Sequence, residues 1–259
     1  MSVTSKSVQV EVTLRGNVGE FAGDYARGKI SSALEVARDP VLHARVVLDW
    51  KRDPALERPA LAEVSVDVKG KTVRARTTAP TMNEAVDELD LRLRRQLVDL
   101  QDRERTRHRW TGVSGERGWR HGDLPRRPVG YFPRPVDSRE VVRHKSFASE
   151  PMTVDEAAYE MDLLDHDFFL YRDARSGGPA LVHRLGPGCY GVRGVAIDEE
   201  TVESVTHEGT PPTLGDDEAR ARLEAEDAPF VFYLEPETGE GRVLYHRYDG
   251  HYGLITLAG

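Results

Sequence analysis

"EAAYEMDLLDHDFFLY" (residues 156–171) and "EARARLEAEDAPFVFY" (residues 218–233) align position by position at an offset of 62 residues. Glu156 falls on Glu218, Ala157 on Ala219, Met161 on Leu223, Phe168 on Phe230 and Tyr171 on Tyr233. After one extra residue in the following hairpin, "LVHR" (181–184) aligns with "LYHR" (244–247), and Tyr190-Gly191 returns to register with Tyr252-Gly253. A period of this length, carrying an apolar pattern and a turn pattern together, marks duplication of one supersecondary unit. Each copy reads as a strand, a short helix and a three-strand meander, with turns at "SGG" or "ETGEG" and at "GPG" or "DGH". Units of this size have marginal cores and commonly pair to bury their sheet faces. The expected pairing residues are Phe168, Phe169, Tyr171 and Tyr190 in the first copy and Phe230, Phe232, Tyr233 and Tyr252 in the second. The sequence leaves open whether the two copies pack on each other. The copies span 141–197 and 198–259.

Ahead of the repeats, residues 1–103 carry different periodicities. "VQVEVTL" (8–14) alternates as a half-buried strand does, and Asn17 is the expected N-cap of a helix in which Phe21, Ala22, Tyr25, Ala26, Ile30, Ala33 and Leu34 recur at helical spacing. "ARVVLDW" (44–50) is a second strand. Val64, Val66 and Val68, then Val73, Ala75 and Thr77, alternate on either side of a tight Lys69-Gly70 turn and form a hairpin. Met82, Val86, Leu89, Leu93, Leu97 and Leu100 make one stripe of a long helix. The order is βαβββα, and the whole chain is α+β. Residues 104–140, rich in Arg, Gly and Pro, read as a basic flexible linker, whose Trp110, Trp119, Tyr131 and Phe132 either make incidental contacts to the flanking domains or, if the segment orders on RNA, stack on exposed bases.

The 259 residues carry a net charge of −8, but unevenly. Residues 1–90 hold 13 Lys+Arg against 14 Asp+Glu, residues 91–145 hold 15 against 7, and residues 146–259 hold 8 against 23, giving −1, +8 and −15. Phosphate attraction acts within about a Debye length, so a polyanion-binding surface belongs to the first 145 residues. Arg92, Arg95 and Arg103 fall roughly opposite the leucine stripe and are expected to face outward together. Arg74 and Arg76 lie on the polar side of the hairpin strand, Lys69 and Lys71 at its turn, and Arg27 and Lys29 on the first helix. These outward cations suit a structured RNA recognised by phosphate and shape.

No apolar run is long enough to span a membrane, and "MSVTSKSVQVEV" has no signal-peptide block, so a cytoplasmic location is expected. The single cysteine, Cys189, rules out an internal disulfide framework and thiolate-rich zinc sites. His166-Asp167 and the duplicated His183-Arg184 and His246-Arg247 lack the further ligands or partners a metal or hydrolytic site needs, and no P-loop or GxGxxG is present. Neither an enzyme nor a cofactor or metal protein is expected.

"LRGNV" (14–18), "KGKTVRARTTAPTM" (69–82) and "MNEAVDELDLRLRRQL" (82–97) resemble the N-terminal domain of bacterial ribosome hibernation promoting factors, with Met82, Ala85, Val86, Asp87, Leu93, Arg95, Gln96 and Leu97 in place. Glu88 stands where that family usually carries a basic residue. Residues 141–192 resemble the C-terminal domain of the family's long forms: Lys145, Phe147, Pro151, Met152, Glu156, Ala157, Met161, Leu164, His166, Phe168 and Phe169 match, and Tyr252, Gly253, Leu254 and Ile255 supply the ending. Carrying both copies in one chain is similar to the dormancy-associated mycobacterial branch. The resemblance implies a partner, the 70S ribosome with its 16S rRNA and ribosomal proteins. It also implies occlusion of the small-subunit decoding region, where mRNA and tRNA would sit, under stress, dormancy or hypoxia. Pairing of the repeats inside one chain would leave it a monomer that silences single ribosomes without joining two. The alternative is an adaptor whose acidic repeats bind a regulatory protein.

Overall fold

The computed structural model describes residues 8–52, 56–109, 134–147, 150–186, 189–194, 205–226, 228–247 and 249–257, with the backbone alone for 102–109. The linker aromatics Trp110, Trp119, Tyr131 and Phe132 lie outside the described residues, as do the boundary at 197/198 and the Arg103 side chain. The chain divides into two compact units, N-terminal and C-terminal.

In the N-terminal unit the elements are β1 (Val10–Arg15), α1 (Glu20–Leu34), β2 (Val41–Trp50), β3 (Ala60–Val68), β4 (Lys71–Ala79) and α2 (Met82–Arg109). The βαβββα order is as the periodicities predict. One sheet runs β1-β2-β3-β4, with β1 parallel to β2 and the other pairs antiparallel. Alternation decides its faces: Ala44, Val46, Leu48, Val64, Val66, Val73 and Ala75 are buried on one side, where α1 and α2 pack. The stripe of α2 is fully inside, from Met82 to Leu100. Thr81 and Glu84 close the start of α2 as a capping box, each side chain bonded to the other's backbone N–H. Lys69 and Gly70 both adopt positive φ (53° and 85°), the geometry of a two-residue hairpin turn, and the Asp67 carboxylate accepts the Gly70 N–H at 2.8 Å.

Three expectations need correction here. The cap of α1 is Gly19, not Asn17. Phe21 is 78% exposed: at 100° per residue it stands about 160° from Gly23, which takes the inner position against Leu14. And α2 continues to Arg109, so the first residues assigned to the linker are helical.

The C-terminal unit contains β5 (Val141–Phe147), β6 (Pro151–Met152), α3 (Val154–Leu163), β7 (Phe168–Asp173), β8 (Pro179–Gly186), β9 (Cys189–Gly194), β10 (Val205–His207), α4 (Asp216–Ala225), β11 (Phe230–Leu234), β12 (Gly241–His246) and β13 (Tyr252–Leu257). Its two sheets run β10-β9-β8-β7-β6 and β11-β12-β13-β5. The opening strand of each repeat therefore crosses to the other repeat's sheet. β5 pairs parallel with β13, and β10 pairs parallel with β9. Repeat and sheet do not coincide; each copy completes the other.

Register also revises the alignment of the copies. Leu170 faces Leu181 and Phe232 faces Val243, so Leu181 corresponds to Val243 and His183 to Tyr245. The offset of 62 persists through the hairpin with no inserted residue, as Gly177 and Gly239 in the two turns show by their matching φ of 68° and 69°. The shared "HR" is a coincidence of letters one position out of register.

The period-2 alternation sorts the apolar residues into three layers. Ala157, Met161, Tyr171, Tyr190, Val192 and Val205 form a core between α3 and its sheet, with Phe169 packed against it. Ala219, Leu223, Val231, Tyr233, Leu244 and Tyr252 do the same under α4. Between the sheets, Leu170, Leu181, Phe232, Val243 and Leu257 make a third core, flanked by Phe147, Phe168, Phe230 and Ile255. Of the eight residues expected to pair the repeats, Phe168, Phe230 and Phe232 do so. Phe169, Tyr171, Tyr190, Tyr233 and Tyr252 lie on the opposite strand faces and hold the helices. Phe168 and Phe230 meet at 4.8 Å between ring centroids, and each reaches across to the other copy's edge, Phe168 to Tyr245 at 5.6 Å and Phe230 to His183 at 5.4 Å. These paired contacts relate the two copies by an approximate twofold.

Candidate nucleic-acid interface

The cations expected to meet RNA divide between the two layers of the N-terminal unit. On the open face of the sheet, strand alternation points Arg74 and Arg76 away from the helices, opposite Ser65 and Glu63 on β3. Arg45 of β2 faces Ser65 from its other side. Arg45, Ser65 and Arg74 thus form one row across three strands, and both arginines are exposed. Arg45 joins the expected cations, and its signal in "ARVVLDW" is that of the polar residue of an alternating strand. At the hairpin tip Lys69 is exposed and lies 3.3 Å from Asp39, while Lys71 is half-buried.

On the helical layer the picture is less uniform. Arg95 is exposed on the outer face of α2, between Leu91 and Val98, which are themselves 60% and 42% exposed. Arg92 does not join it. Three residues earlier on the helix, it turns about 60° toward the sheet edge, where its guanidinium donates to the Arg76 carbonyl at 2.6 Å and its side chain is 19% exposed.

Arg27 donates to Asp24 at 2.6 Å. Lys29 lies 2.8 Å from Asp87, whose carboxylate also accepts from the Tyr25 hydroxyl at 2.7 Å. Donating to the Asp87 carboxylate raises the Lys29 ammonium above its ordinary pKa, and accepting from Lys29 and from Tyr25 holds Asp87 below the usual carboxylate range. Lys29 is charged, but its charge is locally answered. Arg45, Arg74 and Arg95 are exposed, and they stand on opposite layers, not in one patch.

Electrostatic ties also fix the exchanged strands. Ahead of β5, Arg139 donates to both Glu224 oxygens at 2.7 Å, tying the strand to α4. Burial pushes the Glu224 carboxyl up, but hydrogen bonds from Tyr252 and Arg139 outweigh it and leave it below its ordinary range. After β10, Glu208 accepts from Arg193 Nε at 2.7 Å and lies 2.9 Å from His183 Nε2. Burial raises Glu208 as well, and those two bonds bring it below the usual value. Among the described residues no helix is long and apolar enough to cross a membrane.

The chain comprises an α+β unit of order βαβββα followed by a tandem exchanged pair, and family models match the sequence of both parts. Residues 3–105 match the family described as Sigma 54 modulation protein / S30EA ribosomal protein, and residues 136–192 and 202–254 each match that family's C terminus. The chain belongs to this family, which is non-enzymatic. It is 28% identical over 94% of its length to the "Dormancy associated translation inhibitor" of Mycobacterium tuberculosis, covering 89% of that protein. It is 31% identical to the "Ribosome hibernation promotion factor" of Lactococcus lactis over 52% of this chain and 72% of that one. Among solved structures, a ribosomal subunit interface protein from Coxiella burnetii aligns with 36% of this chain and 97% of its own at 14% identity and a TM-score of 0.29.

Proposed function

We propose that this chain is a ribosome hibernation factor that binds the small-subunit decoding region through its N-terminal unit, occludes mRNA and tRNA, and silences single 70S ribosomes without joining them. Its relatives are named for translation inhibition and ribosome hibernation. The contacts proposed for rRNA phosphates come from Lys69, Lys71, Arg74, Arg76 and Arg95, with Arg45 added and with Arg27, Lys29 and Arg92 secondary. No bond is made or broken; inhibition is steric.

The observation that carries the single-ribosome reading is the inter-sheet core. The apolar face that one copy would offer to another molecule is covered by the second copy of the same chain. Tethering makes that pairing unimolecular and gives it a large effective-concentration advantage over a second molecule. The test is sedimentation of purified 70S particles with the protein through sucrose at low and high salt. Co-migration with monosomes, lost at high salt as phosphate contacts are screened, is expected. A disome peak would overturn the single-ribosome part, and protein remaining at the top of the low-salt gradient would overturn ribosome binding altogether.

A further inference from the structure

We infer that a charge reversal between the two exchanged strands sorts the repeats, favouring pairing of the unlike copies of one chain over pairing of like copies from two. The inference rests on the reading that the repeats pair within the chain.

The strands occupy equivalent places. His207 of β10 lies opposite Val192, and His144 of β5 lies opposite Leu254. Val192 and Leu254 are equivalents, because they face Val182 and Leu244 in the two meanders. "VTHEG" (205–209) therefore superposes on "VRHKS" (142–146), and Glu208 stands where Lys145 stands in the other half. The sites that receive them differ in the same sense. Glu208 is held by Arg193 at 2.7 Å and His183 at 2.9 Å. The equivalents of those residues beside Lys145 are Ile255 and Tyr245, neither of them a charge partner.

Consider a second chain offering its own first-copy strand to β9. Lys145 would arrive beside Arg193 and His183 in place of Glu208, a cation set against a cation across neighbouring strands. Two second copies would fare no better, since Glu208 beside Ile255 and Tyr245 forfeits both of its bonds. Only unlike copies satisfy both sites. Discrimination of this kind comes as much from the repulsion built against the wrong partner as from attraction to the right one.

The test exchanges the two charges and leaves composition and the net charge of −8 untouched. In the full-length Lys145→Glu/Glu208→Lys double variant, the chain's own strand clashes at Arg193 while another chain's Glu-bearing strand fits. Light scattering across protein concentrations should then show the mass rising from 29.0 kDa toward twice that value. Lys145→Glu alone should stay monomeric. Arg193→Glu reverses the receiving site instead and should also dimerise, and adding Glu208→Lys to it should return the monomer; the pair serves if the first variant does not fold. A monomeric wild type with every variant monomeric and unshifted in melting, or failure of Glu208→Lys to rescue Arg193→Glu, refutes the sorting while leaving internal pairing intact. A wild type that is itself a dimer refutes the internal pairing on which the inference rests.

Discussion

Replacing Phe232 with alanine removes a ring that is 1% exposed and sits between the sheets with Leu170, Leu181, Val243 and Leu257. Truncating a buried Phe to Ala costs about 3–5 kcal/mol, a large part of the roughly 5–15 kcal/mol that holds a domain folded. For a unit of this size each kcal/mol lowers the melting temperature by about 4 °C, so a fall of about 12–20 °C is expected. The distribution of the loss is the sharper test. Phe232 belongs to the second copy, but its core is shared, and each sheet holds a strand of the other copy. Both halves should therefore loosen together. Hydrogen exchange read by mass spectrometry should show β7–β9 and β11–β13 losing protection by similar factors, and calorimetry should show a single C-terminal transition. Loss confined to β11–β13, or two separated transitions, would refute the interlocked pair. Tyr233→Phe is the control: it removes the 2.7 Å bond to Asp216 in the α4 layer, a loss of about 1 kcal/mol, with its effect confined to that layer.

Glycine at 253 is expected to be indispensable, because a Cβ there would lie 2.3 Å from the Tyr245 ring; Gly253→Ala should lower the melting temperature, and Tyr245→Ala should recover part of the loss. Arg45→Glu with Arg74→Glu should leave melting unchanged while weakening low-salt co-sedimentation with 70S particles and reducing the steepness of the salt dependence by roughly 0.7–0.9 in log–log slope per phosphate lost; unaltered co-sedimentation would remove the open sheet face from the interface. Arg92→Glu should lower both ribosome binding and melting temperature, because it also breaks the bond to the Arg76 carbonyl. The depressed carboxyls of Glu208 and Glu224 contribute stability that is complete above their unfolded value of 4.5 and is lost as pH falls through their lower folded values. Melting temperature should therefore hold down to about pH 5 and fall below it, less steeply in Glu208→Gln; a wild-type decline centred near pH 6 would contradict this assignment.

Why some of this was legible in the sequence and some was not follows from the range of each interaction. The stripe of α2 and the hairpin at Lys69-Gly70 are local, and their periodicities read correctly. The layers of the repeat cores were also written locally, in "FFLY" (168–171) and "FVFY" (230–233), where alternation sends Phe168 and Phe230 to one face and Tyr171 and Tyr233 to the other. Grouping all the aromatics as one pairing core overlooked that period. Arg92 and Arg95 differ by three residues, and a turn of 60° is enough to commit one to a backbone carbonyl and leave the other exposed. The exchange of β5 and β10 has no local signal at all: Val141 pairs beside Tyr252, more than a hundred residues away, and nothing in "VVRHKSF" names which sheet it joins.

That exchange also bears on what duplication accomplishes. If each copy kept its own opening strand, the two would meet only through the inter-sheet core, and separating them would cost that core alone. With the strands exchanged, separation must also strip β10 from β9 and β5 from β13, and with them the Glu208 and Arg139 ties. The copies are then not two domains that happen to touch but one folding unit, and an opening that would free a surface for a second molecule is close to unfolding of the whole C-terminal unit. On that account a mutation weakening the shared core should produce unfolding and aggregation before it produces orderly ribosome pairing. Phe232→Ala chains mixed with 70S particles should thus gain no disome peak, whereas the charge-exchanged chain, whose repeats remain folded but prefer another molecule, is the variant expected to gain one.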